Sequence, residues 1–407
     1  MEKKRVSVPV LGNVVLVLLG LAFALGVVEL LLRAFPNLIP PEVRVNPPAR
    51  RITAFIDETY DLRQSDGDLF HYMRGKIVTL SPEEDQVLAH VNMITDANGF
   101  RNSPPEQATY GIVALGDSFT RASGVPSPWP QLLANHTGRD VLNLGDVGFG
   151  PQDELKVLQQ YGLKKQPQWV IMAYFEGNDL YDAGAYDQAT PFILARFGRY
   201  IVDKSIETWH KGQGGTQTET TPNYRYPITV TINNKDLEMT FFSYYVAWLS
   251  VNREAIASSQ NYHLVRETIL QVQELSEAEE ARFLLVYVPS KEHVYLPYLK
   301  DDNTLASVFT DVPTTELDEA GFLQFTSERS TPELIFQHMD DQGNLLADFA
   351  AEHEILYLNL TSTFQEEAST GAEMYYTFDT HWNQLGHDLA AETINKYIEG
   401  ILSGYSQ

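Results

Sequence analysis

No cysteine occurs among the 407 residues, which excludes disulfides, thiolate metal centres and cysteine nucleophiles. Cations are scarce too. Lys and Arg total 29 against 54 Asp and Glu, a formal charge of −25, and so acidic a surface repels nucleic-acid phosphates and anionic lipid headgroups. Nucleic-acid binding is therefore not expected. No group of His and carboxylates stands at ligand spacing, so neither a metal nor an organic cofactor is expected. Internal repeats and low-complexity tracts are missing as well. What remains, at 43% hydrophobic residues, is the composition of a folded chain of one large or two ordinary domains.

Between Arg5 and Glu29 the chain carries no charge at all. The stretch "MEKKRVSVPVLGNVVLVLLGLAFALGVVELLLRAF" follows a basic cluster and is long enough to span a hydrocarbon core as a helix. A cleaved leader is the alternative, since Ala22-Phe23-Ala24 has the small-x-small form of a cleavage site. The apolar run continues through Leu32, where a mature chain turns polar, and this favours a retained anchor. Lys3, Lys4 and Arg5 place the N-terminus in the cytoplasm and the globular part outside, although Arg33, Arg44, Arg50 and Arg51 dilute that bias. The expected organisation is a tail and anchor helix over 1–35, a proline-rich spacer over 36–52, an extended lead-in over 53–109, and a main domain over 110–407.

Within the main domain "YGIVALG", "RDVLNLG" and "PQWVIMAYFEGND" are short continuous apolar runs of buried parallel-strand type, and "WPQLLANHTG" and "PQDELKVLQQYGLKKQ" between them read as helices. "ARFLLVYVPS", "PELIFQHMDDQGNLLADFAAEH", "EILYLNL" and "NQLGHDLAAETINKYIEGIL" resume the alternation. This order predicts an open α/β sheet with helices on both faces and ligands at the carboxyl ends of the strands. From about 182 to 280 the alternation breaks. There "NYRYPITVTINNKDLEMTF" predicts a hairpin turning at Asn233-Asn234, flanked by aromatic-rich helices, as an inserted small α+β subdomain.

Gly-Asp-Ser in "VALGDSFTRASG" sits where the first of these strands ends. Ser118 there has two readings, a nucleophile at the ligand edge of the sheet or, with Asp117, a helix cap. A serine hydroxyl needs a base, and the base a third group to orient it. Of the 10 histidines, His381 in "YTFDTHWNQLGH" has Asp379 two residues before it, close enough for a carboxylate to fix its tautomer. His71, His90, His136, His210, His263, His293, His338 and His353 show no carboxylate at motif spacing and are read as surface or packing residues, and His387 as structural. For an oxyanion, "VLNLGDVGFGP" offers a glycine-dense turn and "FEGNDL" a neutral amide donor in Asn178; turn-making and helix capping are the alternatives.

Taken together, the four segments resemble the SGNH, or GDSL-type, hydrolases, whose blocks contribute Ser, Gly, Asn and His. The resemblance implies a flavodoxin-like doubly wound parallel sheet, with Ser118 as nucleophile and its N–H as one oxyanion donor. Counting five from Asn143, it makes Gly148 the second donor. "GND" makes Asn178 the third, and "DTHWNQLGH" makes His381 the base with Asp379 as its partner. Common members place the aspartate three residues before the histidine. The Asp-x-His form found here is similar to that of alginate acetyltransferase-like members that modify exopolysaccharides, which leaves water or a sugar as acyl acceptor. The G-x-S-x-G elbow is absent, since Thr120 stands at its second glycine. The implied function is a membrane-anchored, extracytoplasmic serine esterase acting on small acyl esters, acetyl groups of a glycan among them. The alternatives are a polysaccharide O-acetyltransferase fed by a membrane acyl-donor partner, and a silent glycan-binding protein using Trp209, Tyr244, Tyr245 and Trp248.

Overall fold

A computed structural model describes residues 8–35, 57–67, 85–103, 105–187, 228–299, 305, 308–309 and 312–404. The expected spacer, the strand-like "GKIVTL", His71, Trp209 and His210 lie outside the described residues. The chain divides into two units, 1–51 with 188–219, and 52–187 with 220–407.

In the first unit, α1 (Val8–Ala34) is a helix of 27 residues, about 40 Å long at 1.5 Å per residue. Its side chains are described at 16, 17 and from 19 onward, and these are mostly exposed, Leu19 and Phe23 among them. Among the described residues no helix is long and apolar enough to cross a membrane. The expected transmembrane span finds no support there.

The second unit is built on a parallel sheet of five strands. In chain order they are β3 (Ile112–Gly116), β4 (Val141–Asn143), β5 (Trp169–Phe175), β8 (Arg282–Val288) and β11 (Leu356–Asn359), arranged β11-β8-β5-β3-β4. Numbered within the sheet this is the order 2-1-3-4-5, whose topological switch point lies between β3 and β5. The strands are continuous apolar runs because both faces are covered. Ile112, Ala114, Ile171, Ala173, Leu284 and Val286 share one core cluster with Trp129 and Leu133 of α3 (Trp129–Thr137) and Ala390 and Ile394 of α13 (Gln384–Gly404). Their neighbours Val113, Leu115, Met172, Tyr174 and Leu285 are equally buried. On this chain α4 (Pro151–Val157), α5 (Asp179–Asp187) and α8 (Gln260–Ala278) pack on one another, and α8 also on β8.

Among the described residues three antiparallel pairs accompany the sheet. β1 (Asp57–Arg63) and β2 (Val87–Ile94) form the lead-in. β6 (Ile228–Ile232) and β7 (Lys235–Met239) form the hairpin foreseen at Asn233-Asn234, both of which adopt the positive φ that such two-residue turns require, 51° and 62°. Its Val230, Ile232, Leu237 and Met239 face the main core, so period-two patterning marked the buried face. β9 (Pro313–Leu317) and β10 (Leu323–Arg329) were not anticipated. Their turn is built by Asp318, whose carboxylate accepts from the N–H groups of Ala320 and Phe322, and short exposed arms give little hydrophobic period to read. The single helix expected at "PQDELKVLQQYGLKKQ" also differs. It is α4 followed by a wider turn over Leu158–Gly162 and a tight one over Leu163–Lys165.

Further helices among the described residues are α2 (Ser118–Arg121), α6 (Ser243–Trp248), α7 (Arg253–Ser258), α9 (Lys291–Tyr295), α10 (Pro332–His338), α11 (Asp341–Glu352) and α12 (Thr361–Ala368). The stretch "PELIFQHMDDQGNLLADFAAEH" thus folds as two helices.

Candidate active site

β3 delivers the chain to Gly116, whose φ is +153° and whose Cβ, were there one, would stand 2.1 Å from Thr120 Oγ1. Only glycine allows that approach. Asp117 then caps α2. Its Oδ1 accepts from Phe119 N at 2.9 Å, and its carbonyl accepts from Thr120 N and Arg121 N. Ser118 opens this single helical turn with its side chain half-buried. Capping and presenting a hydroxyl were the two readings of the segment, and Asp117 takes the first while Ser118 is left for the second.

The hydroxyl meets His381. Ser118 Oγ lies 2.7 Å from His381 Nε2, although 263 positions separate the two residues. On the far side of the ring, Nδ1 is 2.5 Å from Asp379 Oδ1. The same carboxylate oxygen accepts the backbone N–H of His381 at 2.7 Å, closing an Asx turn. An ionised carboxylate only accepts, so Nδ1 carries the proton and Nε2 is free to accept from Ser118. Phe119 supports the imidazole, ring centroids 5.0 Å apart, and itself packs on Phe175 and Trp382.

The glycine-dense turn after β4 is tied to the same segment. Asp146 N donates to Gly116 O, and Arg121 Nη1 pairs with Asp146 Oδ1 at 2.8 Å. Asn143 orders the turn from inside, donating from Nδ2 to Thr120 O while its Oδ1 accepts from Gly145 N. Gly148 is exposed at φ +73° with open space on its Cα. Among the described residues no acceptor takes the backbone N–H of Ser118 or of Gly148.

Asn178 follows β5 across the switch point. Its carbonyl accepts from Asp182 N at the start of α5, and its side-chain amide lies against Asp117. Neither Gly148 nor Asn178 hydrogen-bonds to the Ser118–His381–Asp379 chain; both stand on loops anchored to the segment that carries Ser118.

Beneath these loops carboxyls accumulate. Burial raises Asp117 to about 6, against the pull of Phe119 N–H and His381, and raises Asp182 to about 7. Glu154 and Asp179 are pushed well up by burial and by the other carboxylates. Both Glu154 oxygens and Asp179 Oδ1 find no partner among the described residues. Burial and mutual repulsion thus favour the protonated forms of these groups. No group of three or more His, Asp or Glu among the described residues could hold a metal ion.

Among the histidines read as surface or packing residues, His293 carries a role the spacing did not show. His293 is fully buried between two carboxylates, Nδ1 2.9 Å from Glu176 and Nε2 3.1 Å from Asp340. Burial opposes its charge, yet the two carboxylates prevail and raise it to about 9. His90, His263 and His338 also pair with carboxylates, Asp61, Glu267 and Asp341. These partners lie across strands or one helical turn away, outside any catalytic spacing. His387 is structural as expected, accepting from Trp129 N in the core.

Buried groups that the sequence did not point out support the site. Glu176, just before Gly177-Asn178, accepts from Tyr287 Oη, Ser290 N and Ser290 Oγ at 2.6 to 2.8 Å, pinning the Asn178 loop to the end of β8. Arg101, in "NGFRN", donates to the carbonyls of Ala122, Val125 and Pro126 just beyond α2. Lys291, at the start of α9, is buried rather than solvated.

The chain resembles the GDSL/SGNH hydrolases. No family model matches it, and no curated relative does. Solved structures similar to it include a GDSL-like lipase from Bacteroides thetaiotaomicron, 11% identical with a TM-score of 0.33, covering 71% of this chain and 88% of that one. A lipase/acylhydrolase from Enterococcus faecalis is 14% identical with a TM-score of 0.34, covering 71% and 95%. A two-domain esterase active on acetylated mannans is 13% identical with a TM-score of 0.34, covering 71% and 49%. Superpositions this loose carry no residue's role from one chain to another, and the roles below rest on the geometry above.

Proposed function

We propose that the protein is a serine esterase that cleaves small O-acyl esters through an acyl-enzyme. The observation that carries this reading is the hydrogen-bonded run from Ser118 Oγ through His381 to Asp379. As Oγ adds to the ester carbonyl its proton moves to Nε2, and Asp379 stabilises the imidazolium that forms. Charge on the former carbonyl oxygen is met by the N–H groups of Ser118 and Gly148 and the amide of Asn178. Collapse expels the alcohol, which takes the proton back from His381, and water then repeats the sequence on the acyl-enzyme.

For the natural substrate we propose an acetylated glycan. Tyr181, one turn beyond Asn178 and 41% exposed, stacks near Phe325, and Phe325 packs on Tyr244 and Trp248. Half-exposed rings beside the site supply the apolar faces and polar edges that sugar rings use. Tyr245 instead packs on Phe175 and Phe242, and Trp248 is buried, so these two serve the core. For location we propose an extracytoplasmic protein held at the membrane, a reading that rests on the uncharged sequence run between Arg5 and Glu29; full-length chain should stay with membranes in a carbonate wash, and chain lacking 1–52 should not.

The test is fluorophosphonate labelling and p-nitrophenyl acetate turnover by wild type and Ser118→Ala. Labelling and turnover lost together in the folded variant support the esterase. Failure of folded wild type to label points to a silent binding protein. Acetyl release in the presence and absence of an oligosaccharide separates transfer to sugar from hydrolysis.

A further inference from the structure

Lys291 is the first residue of α9, completely buried, and its Nζ reaches the carbonyl oxygens of Tyr376 at 3.0 Å, Thr377 at 3.2 Å and Asp379 at 2.8 Å. An ammonium has three N–H donors, and here each has one acceptor. All three acceptors belong to the loop that carries Asp379 and His381. That loop has no helix or strand to absorb its inward-facing carbonyls. Tyr376 N donates to His381 O across its mouth. Thr377 O also receives the N–H and hydroxyl of Thr240, and Tyr376 O the N–H of Asp379, so Lys291 completes a set of bonds made at the base of the loop. A buried lysine is a costly choice unless paired, and apolar residues would fill the same space at less cost. Its placement therefore answers to the loop.

We propose that Lys291 is a positioning residue whose protonated ammonium holds the Asp379–His381 loop in the geometry that lets His381 reach Ser118. Around it stand Glu292 on α9 and Asp379 and Glu373 on the loop segment, all of which favour its charge, while burial opposes it and brings it down to about 8. Glu292 is itself raised by burial to about 7 and accepts from Phe242 N. Loss of the Lys291 proton leaves two donors for three carbonyls, and a loop displaced by about 1 Å lowers turnover by roughly a hundredfold. Substrate binding, which uses other surfaces, changes little.

For its kinetic readout the inference rests on the esterase reading, so the experiment includes a measurement that does not. In the full-length chain, wild type and Lys291→Met are compared in p-nitrophenyl acetate kinetics, in fluorophosphonate labelling, and in the proton resonance of His381 Nδ1–H. Expected are a kcat about a hundredfold lower in folded Lys291→Met with KM within about threefold, slower labelling, and loss or movement of the Nδ1–H resonance. Wild-type kcat should fall as pH rises through about 8, and the variant should lack that limb. Folded Lys291→Met with wild-type kcat and an unmoved resonance overturns the proposal. If the variant does not fold, wild-type kcat constant between about pH 7 and 9.5 overturns it. If wild type neither labels nor turns over, the esterase reading fails by itself, and the resonance still decides the role of Lys291.

Discussion

One carboxylate oxygen of Asp379 accepts two hydrogen bonds from His381, from the backbone N–H at 2.7 Å and from Nδ1 at 2.5 Å. A spacing of two residues permits this double contact because the Asx turn aims the ring back at the residue that closes it. The aspartate thus fixes both the path of the loop and the tautomer of the base.

Asp379→Asn separates the two tasks. An amide oxygen can still accept the backbone N–H, so the thermal midpoint should stay close to wild type. It cannot stabilise the imidazolium, and kcat should fall roughly ten-thousandfold. Asp379→Ala should lose the turn as well and lower the midpoint. Calorimetry beside ester kinetics reads both quantities, and equal midpoints for the two variants would count against the turn.

Arg121 and Asp146 join the nucleophile turn to the loop of Gly148, at 10% and 17% side-chain exposure. Arg121→Met should cost about 2 kcal/mol, below the range for a fully buried pair because water reaches it, and should slow fluorophosphonate labelling about tenfold by loosening an oxyanion donor. Urea midpoints for Arg121→Met, Asp146→Asn and the double variant form the cycle. Additive effects would remove the coupling.

Two buried groups give stability opposite pH slopes. His387 is depressed to about 3 by burial, with Arg101 and His381 adding to it. Its contribution is present above the unfolded value of about 6.5 and is lost as pH falls toward 3. Asp182 is raised to about 7, chiefly by burial, so its contribution is present below the unfolded value of about 4 and is lost as pH rises through 7. Asp182→Asn should therefore gain on wild type by about 2 kcal/mol between pH 4 and 8, an amount reduced for partial exposure. His387→Gln, which keeps an acceptor for Trp129 N, should gain on wild type as pH falls from 6.5. Denaturant titrations across pH give each difference, and parallel curves would refute the assignment.

Tyr181→Ala tests the sugar wall. The ratio of kcat/KM on an acetylated oligosaccharide to that on p-nitrophenyl acetate should drop about tenfold, the worth of one aromatic contact. An unchanged ratio would remove Tyr181 from substrate recognition.

The sequence by itself determined the strand-and-helix alternation of the sheet, the hairpin at Asn233-Asn234 and the Asp379–His381 pair. Each is written in neighbouring residues, as an apolar run, a period or a spacing of two. It also placed Ser118, a glycine-dense turn and Asn178 at strand ends, because a parallel sheet gathers its carboxyl ends along one edge, and the resemblance picked Gly148 from that turn. Only the tertiary structure decided that Ser118 Oγ meets His381 Nε2 and that Lys291 holds the loop of Asp379 from 88 positions away. The same is true of His293, whose buried ring sits between Glu176 and Asp340. Such contacts join strands and loops far apart in the chain, and a buried charge looks no different in sequence from a solvated one until its partners close around it.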